Sequence, residues 1–186
     1  MEPCSPKLLL LMRVIAGKFR RRPLLSLDGG QTRPILGRMR QRLFDILQGS
    51  VEGCVFADLY AGTGAVGIEA LSRGADRAIF VESSPKAAGV IRRNLSSLGV
   101  RNQGHVRVAR VRNVIDRIRA DIYFLGPPYS AHREYFRTMR ALAGRPAEWV
   151  IAQHPKTLDL PDSFGPLARE RVVRVGQSRI SMYSPR

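Results

Sequence analysis

A short segment in the first third of the chain has the residue types that build a nucleotide-type cofactor site. An apolar strand ends at Asp58, a turn with Gly62 and Gly64 follows, and a helix then runs past Gly67. Glycine lets the backbone turn tightly and approach a ligand closely. A strand, glycine turn and helix in this order place a ligand at the carboxyl end of a parallel strand. Glu82 ends the next predicted strand, where a carboxylate can accept hydrogen bonds from both ribose hydroxyls.

The acidic residue ahead of the glycines distinguishes this pattern from that of a dinucleotide-binding dehydrogenase. Asp58 would repel a pyrophosphate but would suit a cationic ammonium group, such as that of S-adenosylmethionine. We therefore expect S-adenosylmethionine as the cofactor. Two other interpretations stay open. The segment can be a dinucleotide site, or the glycines can serve only to close a turn while Glu82 caps or solvates the end of a strand. The predicted cofactor-binding residues here are Asp58, Tyr60, Ala61, Gly62, Thr63, Gly64, Gly67 and Glu82.

A second candidate segment, Gly126-Pro127-Pro128-Tyr129, follows a predicted strand further along the chain. Taken alone, two prolines after a strand indicate a rigid turn. About two strands after a cofactor motif, however, the segment stands where an amino-group methyltransferase would have its catalytic loop. The sequence thus predicts a cofactor site and a reaction site at one edge of a sheet.

The charge balance indicates a nucleic-acid partner. The 186 residues include 31 basic and 15 acidic side chains, which gives a net charge of +16 and a pI near 11.3. Nearly all the basic residues are arginine, whose planar group suits phosphate contact and base stacking. The alternative is a solubility or genome-composition effect.

Several classes of protein are disfavoured. Cys4 and Cys54 have no metal-ligand spacing, nor do the three scattered histidines, so we expect a reduced, cytoplasmic chain without a metal. No apolar run is long enough to span a bilayer. The run Leu8–Met12 is too short for a signal-peptide core, so neither a membrane anchor nor secretion is expected.

From Val51 onward, predicted strands and helices alternate. This alternation predicts one α/β domain over residues 51–186, Rossmann-like, with a mostly parallel seven-stranded sheet, helices on both faces and an antiparallel C-terminal hairpin. The predicted strands are Val55–Tyr60, Ala78–Glu82, Val106–Ala109, Ile122–Leu125, Trp149–Ala152, Val172–Val175 and Arg179–Tyr183. The predicted helices are Ala65–Arg73, Pro85–Leu98 and Arg133–Ala143, with a short helix or turn at Val111–Arg119.

The region before this domain is expected to be a basic extension. Residues 1–11 are expected to be a disordered or extrinsic N-terminal extension, with Met12 as an alternative start. Residues 12–50 are predicted to form an RNA-binding extension with a short strand and basic turn over 13–22, a polar loop over 24–31 and a helix over 37–48. Its predicted RNA-binding residues are Lys18, Arg20, Arg21, Arg22, Arg33, Arg38, Arg40 and Arg42; the alternative is a solvated charged face.

From Met12 almost to the C-terminus, the chain resembles the RsmD family of class I methyltransferases, which methylate a guanine N2 of 16S rRNA. The resemblance rests on the blocks at 12–20, 32–47, 58–75 and 175–183. It implies a class I fold, S-adenosylmethionine as cofactor and 16S rRNA or the small ribosomal subunit as partner. We expect a monomer.

The resemblance also implies roles for the second candidate segment. The family has Asp-Pro-Pro-Tyr or Asp-Pro-Pro-Phe there, and its acidic side chain and first proline carbonyl accept the two protons of the substrate amine. In this chain the predicted catalytic residues are therefore Gly126, Pro127, Pro128 and Tyr129, with Tyr129 stacking on the flipped-out base. Gly126 cannot supply the side-chain acceptor.

A second departure from the family falls after the third predicted strand. An Asp or Asn there usually accepts the adenine amino group, but this chain has Arg110, which offers donors and no acceptor. The neighbouring backbone of Val111 can still contact the adenine ring, so both residues are counted as cofactor-binding.

Three functions compete at this point. The first is an active methyltransferase acting on a guanine amine of small-subunit rRNA. The second is a catalytically impaired relative that binds rRNA or the assembling subunit without turnover. The third is a methyltransferase for a small molecule or a protein, which the excess of arginine disfavours.

Overall fold

The computed structural model describes residues 8–27 and 34–186. The strands are β1 (Leu8–Arg13), β2 (Pro23–Leu27), β3 (Val55–Leu59), β4 (Arg77–Glu82), β5 (Gly104–Val108), β6 (Ile122–Leu125), β7 (Trp149–Pro155), β8 (Ser163–Phe164), β9 (Leu167–Val175) and β10 (Ser178–Pro185). The helices are α1 (Pro34–Ile46), α2 (Ala65–Ser72), α3 (Pro85–Ser97) and α4 (His132–Leu142), with 3₁₀ turns at Val111–Asn113 and Ile115–Arg117. The helices of the α/β domain begin and end within one residue of their predicted bounds.

One large sheet has the strand order β5-β4-β3-β6-β7-β10-β9-β8. The strands β3 to β7 are parallel, and the chain moves outward from β3 through β4 to β5 before it returns to the other side of β3 with β6. The carboxyl ends of β3 and β6 therefore form the point where the strand order reverses, which is where open α/β sheets bind ligands. The predicted parallel α/β architecture is confirmed.

The C-terminal part of the sheet is larger than predicted. β10 pairs antiparallel with both β7 and β9, and the two hairpin strands are longer than the predicted segments 172–175 and 179–183. The sheet has eight strands instead of seven, because Ser163–Phe164 adds a two-residue strand, β8, beside β9. Two residues are too short for an alternating pattern to be visible in the sequence.

The N-terminal region contains a hairpin that the sequence analysis missed. β1 pairs antiparallel with β2, from Leu8 opposite Leu27 to Arg13 opposite Pro23. The prediction that residues 1–11 lie outside the fold is therefore wrong for 8–11, and residues 1–7 are outside the described part of the chain. The predicted polar loop over 24–31 begins instead as a strand, since Leu24 and Ser26 are buried.

A buried carboxylate connects this hairpin to the domain. Glu69 of α2 is 1% exposed and accepts hydrogen bonds from the backbone N–H groups of Ile15 and Ala16, both at 2.9 Å. Arg73 Nε lies 2.9 Å and Arg40 Nε 3.4 Å from its carboxylate oxygens. Because a buried charge is tolerated only with such partners, Glu69 fixes α1 and the N-terminal hairpin against α2.

Candidate active site

A cavity of about 500 Å³ opens at the carboxyl ends of the parallel strands. The residues that line it come from the ends of β3, β4, β5 and β6 and from α4. They are Tyr60, Gly62, Val81, Glu82, Ser83, Ala109, Arg110, Val111, Arg112, Gly126, Pro128 and Glu134. Both segments identified in the sequence, the glycine turn and the Pro-Pro-Tyr loop, thus contribute to one cavity at the point where the strand order reverses.

The glycine turn has a backbone that few other residues could adopt. Gly62 and Gly64 have φ of +57° and +78°, and Tyr60 also has a positive φ of +65°. A Cβ at Gly62 would have no heavy atom within 4 Å, so the backbone borders free space that a ligand can occupy. At Gly67 a Cβ would lie 2.4 Å from Cε1 of Phe80, so this glycine lets α2 pack closely on the sheet.

Glu82 fixes the shape of this turn. Its Oε2 accepts a hydrogen bond from the Gly62 N–H at 2.8 Å, and its Oε1 accepts one from the Ser84 N–H at 2.8 Å. Ser84 caps α3, with its hydroxyl accepting from the Ala87 N–H at 3.3 Å. Oε1 also accepts a longer hydrogen bond from the exposed Ser83 hydroxyl at 3.4 Å, while Oε2 keeps a second acceptor position. The half-buried Glu82 can therefore still bind a hydroxyl group in the cavity.

Asp58 lies beneath the turn and is not among the cavity-lining residues. It is 2% exposed, and its Oδ2 accepts a hydrogen bond from the Gly67 N–H at 2.9 Å. Burial raises the pKa of Asp58 to about 8; the bond from Gly67 opposes this shift, and the charge of Glu82 adds to it. This position does not support the expectation that Asp58 faces an ammonium group, because the carboxyl is buried and turned to the backbone of α2.

Two residues of the loop at 126–129 reach the cavity. Gly126 and Pro128 line the cavity, while Pro127 is buried and its carbonyl accepts a hydrogen bond from the Tyr135 hydroxyl at 3.0 Å. A Cβ at Gly126 would find its nearest atoms at 3.6 Å, and the residue has no positive φ. A side chain could therefore stand at this position without strain.

Tyr129 lies on the open side of the loop. Its side chain is 36% exposed, and its hydroxyl is 2.5 Å from Ser178 Oγ and accepts a hydrogen bond from Gln153 Nε2 at 3.3 Å. These contacts hold the ring at the surface, where a base can stack on it. Gln153 had no role in the sequence analysis, and its contact with Tyr129 could not be recognised without the strand register.

The sequence analysis also missed one wall of the cavity. The Tyr60 hydroxyl donates a hydrogen bond to Glu134 Oε2 at 3.1 Å and lies 2.8 Å from Thr138 Oγ1. Glu134 and Thr138 are on α4, one turn apart, so they meet only because the helix faces the end of β3. Their spacing of four is a helical signal, but nothing in the sequence links them to Tyr60.

The region after β5 brings Arg110 and Val111 to the cavity. Both line the cavity, with Arg110 exposed and Val111 only 4% exposed. The Ala109 N–H donates to the Glu82 carbonyl at 3.0 Å, which joins this wall to the end of β4. Arg112, which was not predicted, also lines the cavity.

The predicted RNA-binding residues do not form one surface. Arg40 is 7% exposed; its Nη2 donates to the Arg13 carbonyl at 2.6 Å, and its Nε faces Glu69. Burial lowers the pKa of Arg40, and Glu69 opposes that effect. The prediction that Arg40 contacts phosphate is therefore wrong, because its guanidinium is used inside the fold. Arg33 lies outside the described residues, whereas Arg38 and Arg42 are exposed.

The basic turn over residues 18–22 lies at the opposite end of the sheet from the cavity. The Lys18 N–H donates to the carbonyl of Ser72, the last residue of α2, and Arg22 Nη2 donates to the carbonyl of Ser97, the last residue of α3. Both helices begin at the carboxyl ends of the strands and end at the amino ends. The 13 residues of α3 therefore separate this turn from the cavity by about 20 Å.

Comparison with known proteins gives the family. The model of the family described as conserved hypothetical protein 95 matches residues 12–184. The chain belongs to this family. The Bacillus subtilis protein YlbH, provisionally named an rRNA methyltransferase, is 30% identical over 94% of this chain and 100% of its own length. The Haemophilus influenzae protein named ribosomal RNA small subunit methyltransferase D is 31% identical over 63% of this chain and 64% of its own.

The fold has solved counterparts. The structure of the Escherichia coli protein yhhF, provisionally described as a methyltransferase, superposes with a TM-score of 0.80 at 24% identity, over 94% of this chain and 97% of that one. At this identity the likeness shows the fold alone. It confirms the Rossmann-like α/β fold that the sequence predicts.

Residues 8–27 and 34–186 contain no group of three or more His, Cys, Asp or Glu side chains arranged to hold a metal ion. None of their helices combines the length and apolar character needed to cross a membrane.

Proposed function

We propose that this protein transfers a methyl group from S-adenosylmethionine to the exocyclic amine of a guanine in small-subunit (16S) rRNA, acting as a cytoplasmic monomer. The observation that carries the proposal is one cavity bordered by Gly62 and Glu82 on one side and by Gly126 and Pro128 on the other. The names of the relatives from Bacillus subtilis and Haemophilus influenzae support rRNA as the substrate class.

The residues at the glycine turn and at the ends of β4 and β5 fit the cofactor. Free space beside Gly62 admits a ligand against the backbone. Glu82 Oε2 retains an acceptor position for one ribose hydroxyl, and Oε1 can accept from the other in place of the exposed Ser83 hydroxyl at 3.4 Å. Val111 forms a buried wall for the adenine ring, while Arg110 lies at its exposed edge. Asp58 acts indirectly by holding the Gly67 N–H and hence the start of α2.

The residues on the loop side orient the substrate base. S-adenosylmethionine, when bound, supplies a methyl group on positively charged sulfur. The amine of guanine is a weak nucleophile, so its lone pair must be aimed and its protons must be accepted. The Pro127 carbonyl keeps one acceptor position beside its bond from Tyr135, and the exposed ring of Tyr129 offers a stacking surface for a flipped-out base.

Gly126 is the feature that favours the alternative, an rRNA-binding relative without turnover. Loss of one positioned hydrogen-bonding group costs about 10²–10³ in rate, which weakens an enzyme but does not abolish one. The intact turn held by Glu82 argues against the alternative, because a protein that only binds RNA has no use for a cofactor cavity. We therefore prefer the active enzyme.

Exposed arginines on one side of the sheet support the RNA part of the proposal. They occupy α3, the edge strand β5 and the segments beside them, and within residues 8–27 and 34–186 none of them forms an ion pair. They are Arg22, Arg92, Arg93, Arg101, Arg107, Arg110 and Arg112. On the opposite side, Arg169 and Arg179 are paired with Asp162 and Asp159.

These seven residues, the β5-side arginines, connect the basic turn with the cavity. Arg22 lies at the amino-terminal edge of the sheet and Arg110 and Arg112 at the carboxyl edge. We propose that an RNA backbone follows this side of the protein, with Lys18, Arg20 and Arg21 extending its far end and Arg38 and Arg42 adding contacts from α1. Phosphate neutralisation by such residues gives affinity that falls with salt.

A transfer assay tests the proposed reaction. Labelled methyl transfer from S-adenosylmethionine to small subunits that lack guanine-N2 methylation is expected, and the Gly126→Asp variant should be at least about tenfold faster, because it restores a positioned acceptor. Absence of transfer by both proteins, with no S-adenosylmethionine binding in calorimetry, would refute the proposed function.

A salt titration tests the RNA surface. The double variant Arg101→Ala, Arg107→Ala should bind rRNA more weakly, and its plot of log affinity against log salt should lose about one unit of slope per arginine removed. The matched control is Arg171→Ala, Arg174→Ala, which removes two exposed arginines from β9 on the opposite side. Equal losses in both variants would show that the charge acts without a defined surface.

A further inference from the structure

Glu134 has a carboxylate in the wall of the cavity. Neither the sequence motifs nor the family resemblance assigns a role to this residue. It is in the first turn of α4 and lines the cavity together with Gly126 and Pro128. Its side chain is 28% exposed, so it reaches the cavity while most of it is packed. The inference below rests on the proposed function, since it concerns the amine that is methylated.

The chemistry of the loop side leaves one acceptor missing. An amine that attacks with its lone pair must direct two N–H groups at acceptors, and the Pro127 carbonyl can take one of them. Gly126 has no side chain for the other. Among the described residues that line the cavity, the only carboxylates are Glu82 and Glu134. Glu82 holds the glycine turn and faces the cofactor. Glu134 belongs to α4, which follows the loop at 126–129 directly, so Glu134 is the carboxylate on the side of the base.

We propose that Glu134 is a catalytic residue that accepts the second N–H of the substrate amine and takes the proton released by methylation. The nitrogen lone pair forms the new bond to the methyl carbon, and the carbon–sulfur bond breaks with its electron pair passing to sulfur. The cationic sulfonium becomes a neutral thioether, and the nitrogen becomes positively charged. Loss of one proton from nitrogen to the Glu134 carboxylate restores a neutral amine.

Neighbouring side chains hold Glu134 in place without occupying all its acceptor positions. Tyr60 donates to Oε2 at 3.1 Å, and Arg137 Nη1 donates to Oε1 at 3.1 Å. Burial raises the pKa of Tyr60 to about 12, so this hydroxyl remains a donor at neutral pH. Each oxygen of Glu134 keeps a second lone pair, which is the capacity that the amine needs.

Rescue between two positions provides the kinetic test. Glu134→Gln keeps the size of the side chain but removes its charge, and it should lower transfer at saturating cofactor about tenfold, while the affinity for S-adenosylmethionine changes less than about twofold. The double variant Gly126→Asp, Glu134→Gln should recover to within about threefold of the unaltered protein, because it returns a carboxylate to this side of the cavity. Room for the new side chain exists, since the nearest atoms to a Cβ at Gly126 are 3.6 Å away.

A binding experiment tests the same contact without turnover. Inosine differs from guanosine only by lacking the exocyclic amine, so an acceptor for that amine should favour guanosine. In the presence of S-adenosylhomocysteine, the unaltered protein should bind guanosine about tenfold more tightly than inosine, as measured by NMR titration. Glu134→Leu should lose most of this preference, because only the Pro127 carbonyl then accepts from the amine. Thr138→Val, which changes only the neighbour of Tyr60, should keep the full preference.

The outcomes separate this inference from the proposed function. If the unaltered protein and Gly126→Asp both methylate rRNA but Glu134→Gln is equally fast, Glu134 has no catalytic role and the function stands. Activity found only after Gly126→Asp would also overturn the inference, since Glu134 would then fail to replace the missing acceptor. Equal affinity of the unaltered protein for guanosine and inosine would likewise overturn it. Absence of transfer by every variant and of cofactor binding would refute both.

Discussion

The two sides of the cavity depend on different features of the chain: the side at the glycine turn, which we call the cofactor side, depends on backbone conformation, and the side at the 126–129 loop and α4, the base side, depends on side chains. On the cofactor side, the shape depends on the backbone. Gly62 and Gly64 have positive φ, Glu82 accepts from the Gly62 N–H, and Asp58 accepts from the Gly67 N–H at the start of α2. On the base side, the function depends on which side chains stand on the loop and on α4. There, Gly126 leaves a position empty that a side chain could occupy without strain.

This difference explains how each side tolerates change. A backbone site is lost if any part of its hydrogen-bonded turn is altered, because each contact supports the others. A side-chain site can exchange one acceptor for another wherever the walls bring a carboxylate within reach, as α4 does with Glu134. The cofactor side is therefore expected to be fragile and the base side to be adaptable.

The largest effect is expected at Glu82. The Glu82→Ala change removes the acceptors for the Gly62 and Ser84 N–H groups and those for the ribose, so S-adenosylmethionine affinity should fall at least about 100-fold in calorimetry. Glu82→Gln is the matched control, since it keeps one acceptor oxygen. Its affinity for S-adenosylmethionine should lie between that of the unaltered protein and that of Glu82→Ala. An affinity within fivefold of the unaltered protein for Glu82→Ala would place the cofactor elsewhere.

The same substitution at two glycines compares the two sides directly. At Gly67 the added Cβ would meet Phe80 at 2.4 Å, so Gly67→Ala should lower the free energy of unfolding by about 1–3 kcal/mol. At Gly126 the added Cβ has only ordinary contacts from 3.6 Å, so Gly126→Ala should leave stability unchanged or raise it by about 0.4–1 kcal/mol. Urea denaturation measures both, and equal destabilisation would contradict the comparison.

The sequence predicts that the glycine turn and Glu82 lie together at one edge of the sheet, because its signals there are local. The glycine turn and Glu82 lie close together in the chain, and the alternation of strands and helices places them at one edge of the sheet. The helix bounds around them were predicted within one residue for the same reason: glycine, proline and apolar periodicity act over a few residues.

What the sequence did not reveal depends on contacts between distant segments. Glu134 reaches the cavity because α4 packs beside the end of β3, and Arg40 is buried because α1 lies against Glu69. An arginine in a basic run looks like a phosphate ligand until the fold shows its partner. The hairpin of β1 and β2 was missed because Leu8–Leu11 resembled a loose apolar extension and not one strand of a pair.

The last comparison concerns Asp58 and the pH dependence of stability. Its folded-state pKa of about 8 is above the value of about 4 of an unfolded chain. Between these two values the unfolded protein releases the proton while the folded protein retains it. The contribution of Asp58 to the free energy of unfolding is therefore complete below pH 4 and is lost as the pH rises towards 8, by at most about 1.4 kcal/mol per pH unit.

Comparison with Asp58→Asn isolates this contribution. His154 has the opposite influence, because burial lowers its pKa and its contribution is lost as the pH falls below about 6.5. It affects both proteins equally, so the difference between their stability curves belongs to Asp58. Parallel curves from pH 4 to 8 would show that Asp58 is ionised in the fold.

Proton release on cofactor binding then tests the position of Asp58. If Asp58 contacted an ammonium group, binding at pH 7 would ionise it, and calorimetry in buffers of different ionisation enthalpy would detect about one released proton. Because Asp58 faces the Gly67 N–H and not the cavity, we expect no release that depends on Asp58. Suppose instead that the unaltered protein releases a proton on binding and the Asp58→Asn protein does not. Asp58 would then contact the cofactor, and the cofactor side, too, would depend on a charged side chain and not on backbone shape alone.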